Sequence, residues 1–310
     1  MARVHATQSH ARRQMIETPK FASWRKLVDR WIRTPARQRI TVRQRDGATM
    51  ADNEDPVIIE HDGAVATVTL NRPDRLNALN RPMWPLLSQA FTTLSADSDV
   101  RVIVLRGAGK AFSPGADISE FQSERPTAEG AQTYGIVMDA AYEAIRQTPQ
   151  PVVARIQGPC TGAGLVLALL CDLRIGDTSV RMGSPVARIG LAMPSPEFSV
   201  LVDAMGRHAA LALVLEAKVL EAEQAAAAGL LDRVVQPKEL DTELGETLKR
   251  ILAGAPLVHR AHKALARRLA DPAPLSEDEV AASYVLFDSA DYREGFRAFL
   301  EKRRPDFRGA

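Results

Sequence analysis

The sequence predicts an α/β protein with a parallel sheet and a helical final part. Short β-rich runs alternate with amphipathic helical segments from Val57 to Ile175, an order typical of parallel strands covered by helices. Beyond Gly206 helix-forming residues dominate, and no hairpin signal follows Val235. A chain of 310 residues is long enough to bury a substantial core.

The first strands and helices follow from hydrophobic periodicity. Two β-rich runs on either side of Asp62-Gly63 predict a hairpin. Apolar residues spaced by three and four predict two helices, and continuous apolar runs predict two buried strands. The helical segments are 83–94 and 134–145, and the buried strands are 102–105 and 152–156.

The composition excludes several classes of protein. With 45% hydrophobic and 25% charged residues, the chain is neither collagen-like nor disordered throughout. Its longest apolar run, Leu165 to Cys171, is shorter than the about 18 residues of a membrane span, so we expect no span. Two cysteines, Cys160 and Cys171, are too few for a disulfide framework, and we expect a cytoplasmic location.

Charge divides the chain near Met50. Residues 1–49 contain 12 Lys and Arg against 3 Asp and Glu, a net charge of +9, whereas the remainder contains 28 against 35, a net charge of −7. We interpret 1–49 as a basic N-terminal extension that is flexible or a misassigned start. A second hypothesis is that it binds an anionic surface, although we expect no nucleic-acid partner.

Three glycine-containing turns, at 107–110, 113–117 and 158–164, could present backbone N–H groups to an anion. They match neither nucleotide fingerprint: Gly164 is not followed by Lys and Ser or Thr, and 162–164 lacks a third glycine. Two free amides, at Ala116 and Ala163, could bind a developing oxyanion if their turns meet. The alternative is that the turns only permit close packing of helix and strand.

Five segments taken together resemble the crotonase superfamily of enoyl-CoA hydratases and isomerases. They run from about Val57 to Phe307 in the order of the family, whereas residues 1–49 have no counterpart. The segments are LNRPDRLNAL (70–79), GKAFSPGAD (109–117), PVVARIQG (151–158), LLCDLR (169–174) and YREGFRAFLEKRRPDF (292–307).

This resemblance implies a crotonase-like ββα spiral core that binds acyl-CoA at 50–240 and a C-terminal helical trimerisation region at 241–310. The expected assembly is a homotrimer or hexamer. The expected ligand is an acyl-CoA thioester, with no separate cofactor because coenzyme A is part of the substrate. The thioester oxygen would lie between the amides of Ala116 and Ala163. The CoA site would include Arg75, Asn77, Ala78, Ala116, Asp117 and Ile118, and from a neighbouring subunit Phe299 and Lys302.

The chain departs from the family at the two glutamates that hydratases require. The corresponding positions hold Val166 and Val186, and valine cannot transfer a proton. The nearest replacement acid is Glu197, so we predict double-bond isomerisation or a related proton transfer with Glu197 as the candidate base. The alternative for this residue is a routine acid in the first turn of a helix, after Pro196.

Other residues and functions are weaker candidates. Asp139 and Tyr134, on a helix over the acyl site, are weaker proton-transfer groups than Glu197. No metal site is expected, because His259 and His262 lie one turn apart without a third ligand. The alternative to an enzyme is a non-catalytic acyl-CoA-binding or partner-subunit protein of the same fold.

Overall fold

A β-hairpin begins the part of the chain that the structure describes. The computed structural model describes residues 55–310, so the predicted basic extension at 1–49 lies outside the described residues. Strand β1 (Val57–Asp62) pairs antiparallel with β2 (Val65–Leu70), and Asp62 lies opposite Val65. Gly63 turns the chain with φ +55°, a conformation that favours glycine. The hairpin predicted at Asp62-Gly63 is therefore confirmed.

A six-stranded sheet forms the centre of the compact unit that ends at residue 252. Its strand order is β1-β2-β3-β4-β6-β9, and every pair except the hairpin is parallel. The inner strands are continuous apolar runs because helices cover both faces. The strands after the hairpin are β3 (Val102–Gly107), β4 (Val152–Ile156), β6 (Leu173–Asp177) and β9 (Arg233–Val235). The predicted α/β class is confirmed.

A second sheet of three short strands carries part of the candidate site. Strand β5 (Pro159–Thr161) pairs parallel with β7 (Arg181–Gly183), which pairs antiparallel with β8 (Val219–Glu221). Because β5 leads directly into Gly162, this sheet fixes the position of the turn that follows it. The sequence did not predict the sheet, since three-residue strands leave no alternation to detect.

Helices α1 (Met83–Ala96) and α3 (Ala128–Gln147) pack against each other on one face of the large sheet. Trp84 and Tyr142 make an edge-to-face contact with ring centroids 5.5 Å apart. The indole Nε1–H of Trp84 also donates to the hydroxyl of Tyr134 at 3.0 Å. The helices of this unit are α1 (Met83–Ala96), α2 (Phe121–Glu124), α3 (Ala128–Gln147), α4 (Ala163–Leu169), α5 (Ser195–Leu215), α6 (Ala222–Ala227) and α7 (Leu240–Leu252).

Helix α7 covers the opposite face of the large sheet. Leu240 packs in a second hydrophobic cluster with Val102, Val153 and Ile175. The neighbouring strand residue Ile103 belongs to the main cluster, because successive side chains on a strand point to opposite faces. These contacts place α7 in the first compact unit, and the second begins at residue 253. The boundary drawn from the sequence, after residue 240, falls at the start of this helix.

Helix α5 is interrupted at Gly206, which has φ +76° and ψ 157°. Within residues 55–310 this is the one helix with the length and apolar composition of a membrane span, with a mean hydropathy of 1.5. A membrane span needs its backbone groups satisfied along its whole length. The break at Gly206 therefore argues against a continuous span, and length and composition alone do not establish one.

The second unit, described over residues 253–310, is helical. The buried carboxylate of Asp291 accepts the N–H groups of Arg308 and Gly309, both at distances below 3 Å, and so holds the end of the chain. The homo-oligomer expected for this region stays a prediction. The helices are α8 (Pro256–Leu269), α9 (Glu277–Ala282) and α10 (Ala290–Leu300), and the exposed aromatic residues are Tyr284, Phe287, Tyr292, Phe296 and Phe299.

Candidate active site

The first turn of the candidate site lies at 113–117 and is held by Leu79. The Leu79 N–H donates to the Gly115 carbonyl at 2.8 Å, and the Leu79 carbonyl accepts from Asp117 N at 2.9 Å. In this parallel bridge the amide between those two groups, that of Ala116, points away from Leu79. Among residues 55–310 the Ala116 N–H has no hydrogen-bond acceptor. It is therefore available to an oxygen of a ligand.

The second turn leads from β5 into α4. Gly162 bends the chain with φ +53°, and its N–H donates to the Gly183 carbonyl at 2.9 Å. Ala163 is the first residue of α4, and N–H groups of a first helical turn have no acceptor inside their helix. The Ala163 N–H has no acceptor elsewhere in the described part of the chain.

The structure brings the two turns into backbone contact. A β-carbon on Gly115 would lie 2.8 Å from the Thr161 carbonyl oxygen and 3.2 Å from the Ala163 nitrogen. Thr161 links the turns from the other side: its N–H donates to Ser113 O at 3.0 Å and its hydroxyl to Pro114 O at 2.8 Å. Only glycine fits at 115. That both free amides point at a single oxygen stays a prediction.

Asp117 anchors the end of the first turn. Its carboxylate accepts from the Arg72 guanidinium at 2.9 Å and from the Ser119 hydroxyl at 2.7 Å. The hydrogen bond from Ser119, with smaller effects of Arg72, lowers the pKa of this carboxyl below its ordinary value. Asp117 is therefore ionised at neutral pH, and its oxygens are occupied by neighbours within the protein.

Asn77, a predicted residue of the CoA site, has a structural position. It is fully buried, and its amide group donates to Ala108 O and Ala111 O and accepts from Arg72 N. Both amide hydrogens and the carbonyl are thus engaged, so this side chain holds the loop. The place of Asn77 in the CoA site stays a prediction. Of the other predicted CoA contacts, Arg75, Ile118, Phe299 and Lys302 are exposed and Ala78 is half-buried.

The two positions of the hydratase glutamates hold apolar side chains. Val166 is fully buried in α4, one turn after Gly162. Val186 is half-buried in a short 3₁₀ helix, Pro185–Ile189, that follows β7. Neither residue can accept or donate a proton, so proton transfer at this site needs another group.

Glu197 lies in the first turn of α5, which follows the loop after Val186. Its side chain is half-buried, and this burial raises the pKa of its carboxyl from 4.5 to about 7. The Arg125 cation acts in the opposite direction, and Asp139 raises the pKa further. A carboxyl that titrates near neutral pH is suited to general acid and base catalysis.

Two groups that interact electrostatically with Glu197, Arg125 and Tyr142, were not identified as site residues from the sequence. Arg125 stacks on Tyr134, with its guanidinium carbon 3.7 Å from the ring centroid. Tyr142 is fully buried, and this burial raises the pKa of its hydroxyl well above the ordinary value, with a contribution from Glu197. Tyr134, Met138 and Tyr142 are spaced by four residues, so all three lie on one face of α3. No sequence signal marked Arg125.

Comparison with known proteins identifies the family of the chain. A family model described as enoyl-CoA hydratase/isomerase matches residues 60–310. Short-chain-enoyl-CoA hydratase of Clostridium acetobutylicum is 33% identical over 253 residues, which is 80% of this chain and 95% of that protein. Crotonyl-CoA hydratase of Syntrophomonas wolfei is 32% identical, over 81% of this chain and 97% of that protein.

Solved structures show the same relationship. The crystal structure of an enoyl-CoA hydratase/carnithine racemase from Magnetospirillum magneticum has a TM-score of 0.82 and 49% identity, covering 83% of this chain and 96% of that chain. An enoyl-CoA hydratase from Mycobacterium smegmatis has a TM-score of 0.77 and 33% identity, covering 82% and 99%. The crotonase-like fold expected from the sequence is confirmed. The chain belongs to the enoyl-CoA hydratase/isomerase family of the crotonase superfamily.

Proposed function

We propose that this protein is an acyl-CoA-processing enzyme that shifts a double bond, or carries out a related proton transfer, through a thioester enolate. Its family and the names of its relatives support an acyl-CoA substrate. The single observation that favours this reaction is the state of the Glu197 side chain. It is a half-buried carboxyl with a pKa of about 7, in a site where valines hold both hydratase positions.

The free amides of Ala116 and Ala163 stabilise the enolate in this proposal. When a base removes a proton from the α-carbon of a 3-enoyl thioester, the electron pair moves into the thioester carbonyl and its oxygen becomes negative. Two backbone donors aimed at that oxygen each contribute about 3 kcal/mol of transition-state stabilisation. Backbone donors need no particular side chain, so alanine at 163 serves as well as glycine.

Glu197 carries the proton. The ionised carboxylate takes it from the α-carbon, and the resulting carboxylic acid returns it to the γ-carbon. The double bond then lies between the α- and β-carbons, and no atom is gained or lost. A pKa near 7 lets one group act first as base and then as acid at neutral pH.

The experiment compares wild-type protein with Glu197→Gln and Asp139→Asn. Conversion of a 3-enoyl-CoA to the conjugated 2-enoyl-CoA is followed by absorbance. We expect Glu197→Gln to lose about 10²- to 10⁴-fold in kcat. Asp139→Asn keeps its turnover at neutral pH, because Asp139 only raises the pKa of Glu197. Turnover by Glu197→Gln at the wild-type rate would remove this residue from the mechanism.

The valines at both acid positions also favour a second function, acyl-CoA binding without catalysis. Isothermal titration with acyl-CoA, alongside assays of isomerisation, hydration, thioester hydrolysis and decarboxylation, separates the two. Binding with no turnover in any assay would establish the non-catalytic function and contradict the enzyme.

We also propose that the protein acts as a homo-oligomer in which Phe299 and Lys302 reach the CoA of a neighbouring subunit. The exposed aromatic side chains of the 253–310 unit support this, because large exposed apolar surfaces mark interfaces. Light scattering of the purified protein measures its molar mass in solution and so the number of subunits. Lys302→Ala is expected to weaken acyl-CoA binding and leave the assembly unchanged, and an unchanged affinity would contradict the contact.

A further inference from the structure

A single arginine side chain links the two segments on either side of the Ala116 amide. One nitrogen of the Arg72 guanidinium, Nη1, donates to the Ala78 carbonyl at 2.6 Å and to the Asp117 carboxylate at 2.9 Å. Ala78 comes directly before Leu79, which makes both backbone bonds to the turn, and Asp117 comes directly after Ala116. Arg72 therefore adds a side-chain link to the backbone bonds that Leu79 makes.

The position of Arg72 is fixed by its own backbone. The Arg72 N–H donates to the side-chain oxygen of Asn77 at 2.9 Å, and the Arg72 carbonyl accepts from the Asn77 N–H at 2.8 Å. The Arg72 side chain is 20% exposed and that of Asp117 is 15% exposed. Because partly buried ion pairs are screened much less than exposed ones, this pair can hold the end of the turn in one geometry.

The charge of Arg72 offsets that of Asp117. The carboxyl of Asp117 is ionised at neutral pH, and this residue directly follows the amide that the proposed function assigns to the enolate oxygen. An uncompensated carboxylate there would oppose the charge that develops on that oxygen, since like charges repel and more strongly where water is excluded. The hydroxyl of Ser119 also binds Asp117, at 2.7 Å, but it brings no positive charge.

We propose that Arg72 is a positioning residue for the oxyanion site: through Ala78 and Asp117 it fixes the direction of the Ala116 N–H and compensates the negative charge beside it. Both hydrogens of the Arg72 Nη1 are engaged by these two neighbours, so this nitrogen acts on the turn and not on the substrate. The inference rests on the proposed function of the Ala116 amide as an oxyanion donor.

The test observes the thioester carbonyl of a bound ligand. The probe is butyryl-CoA labelled with ¹³C at the carbonyl, a saturated thioester that has no double bond to move. Difference infrared spectroscopy measures its C=O stretch, which hydrogen bonds shift to lower frequency. We expect wild-type protein to lower the frequency relative to butyryl-CoA in solution, and Arg72→Met to lose much of this shift. Arg72→Lys should recover part of it, because one ammonium nitrogen can donate to both acceptors as Nη1 does.

Kinetics provide a second measurement. In Arg72→Met we expect kcat for a 3-enoyl-CoA to fall by about 10- to 100-fold, less than the about 10²- to 10³-fold cost of removing an oxyanion donor. Affinity for butyryl-CoA, measured by isothermal titration, should be unchanged, because the interaction is made in the transition state. Loss of affinity with an unchanged carbonyl frequency would make Arg72 a contact of CoA and would overturn the proposal.

Arg174→Met is the matched control. Arg174 also pairs with an aspartate, Asp232, and donates to two backbone carbonyls, those of Leu230 and Cys171. None of these partners belongs to the turns at 113–117 and 158–164. We therefore expect Arg174→Met to keep the wild-type carbonyl frequency and kcat. A loss of the shift in this variant equal to that in Arg72→Met would mean that the effect is a general loss of structure, and would contradict a positioning role.

Asp117→Ser keeps the test decisive if Arg72→Met does not fold. Serine retains an oxygen that can cap the 3₁₀ helix after Asp117 but removes the carboxylate that Arg72 binds, so part of the frequency shift should be lost. A wild-type frequency and kcat in the folded variant would overturn the proposal. This outcome differs from failure of the proposed function: if wild-type protein itself does not shift the carbonyl frequency, the oxyanion site fails and the inference fails with it.

Discussion

Gly115 packs against the backbone of Ala163, so closely that a β-carbon at 115 would lie 3.2 Å from the Ala163 nitrogen. The two residues are 48 positions apart in sequence, and they bring the turn of Ala116 against the N-terminus of α4. Contact between these turns is the structural condition for an oxyanion site built from backbone.

Gly115→Ala is expected to abolish most catalysis. The added methyl group meets Thr161 O as well as Ala163 N, and φ +104° strains any residue other than glycine. We expect kcat/KM to fall by about 10²-fold or more, the effect of losing one oxyanion donor. Gly63→Ala is the control, because Gly63 has φ +55° with nothing within 4 Å. It shares the strain but should keep its activity. Wild-type turnover by folded Gly115→Ala would contradict the site.

Hydration of crotonyl-CoA is expected to be slow. General acid and base groups contribute about 10²- to 10⁴-fold each to such reactions, and valine at 166 and 186 supplies neither. Purified protein should therefore hydrate crotonyl-CoA at least about 100-fold more slowly than it isomerises a 3-enoyl-CoA. Hydration at a rate comparable to isomerisation would show that another group activates water here.

Asn77 and Arg75 are expected to have opposite roles although they lie two residues apart. Asn77→Ala removes the partners of three backbone groups in a buried loop and should destabilise the fold by about 3 kcal/mol in urea denaturation. Arg75→Ala, at an exposed side chain, should change stability by less than about 0.5 kcal/mol but weaken CoA binding. A stable Asn77→Ala with lost CoA affinity would instead make Asn77 a ligand contact.

The stability of the protein is expected to depend on the protonation of Glu197. Its pKa is raised by burial from 4.5 to about 7, so between these values the folded state binds more protons than the unfolded state. The stability that this group contributes is present below the lower value and is lost as pH rises through the higher one. Glu197→Gln should therefore be more stable than wild type above pH 7, by up to about 3 kcal/mol. Equal stability across this range would contradict the raised pKa.

Much of the fold can be predicted from the local pattern of apolar and turn residues. The active site can be predicted from it only in part. The hairpin at Asp62-Gly63 and the apolar run of β3 are encoded within a few residues, so periodicity predicts them. The sheet of β5, β7 and β8 has strands too short to show a period. The contact of Gly115 with Ala163 joins segments that are distant in sequence, so no local pattern predicts it. Only the resemblance to the crotonase superfamily indicated that these two turns meet.

Arg125 shows why sequence alone misses part of the site. A lone arginine between a short helix and a proline carries no motif. Arg125 contacts the rings of Phe121 and Tyr134 and lowers the pKa of Glu197, which lies 72 positions later in the sequence. Glu197 was identified as an acid near the lost glutamates, but its raised pKa depends on burial that only tertiary structure supplies.

Exchange of the α-proton of a bound acyl-CoA for deuterium, followed by NMR in D₂O, tests the central claim most directly. It reports removal of the proton and formation of the enolate without requiring any particular product. The account predicts exchange by wild-type protein and its loss, with acyl-CoA binding retained, in Glu197→Gln. Binding without exchange in the wild type, or equal exchange in both proteins, would contradict it.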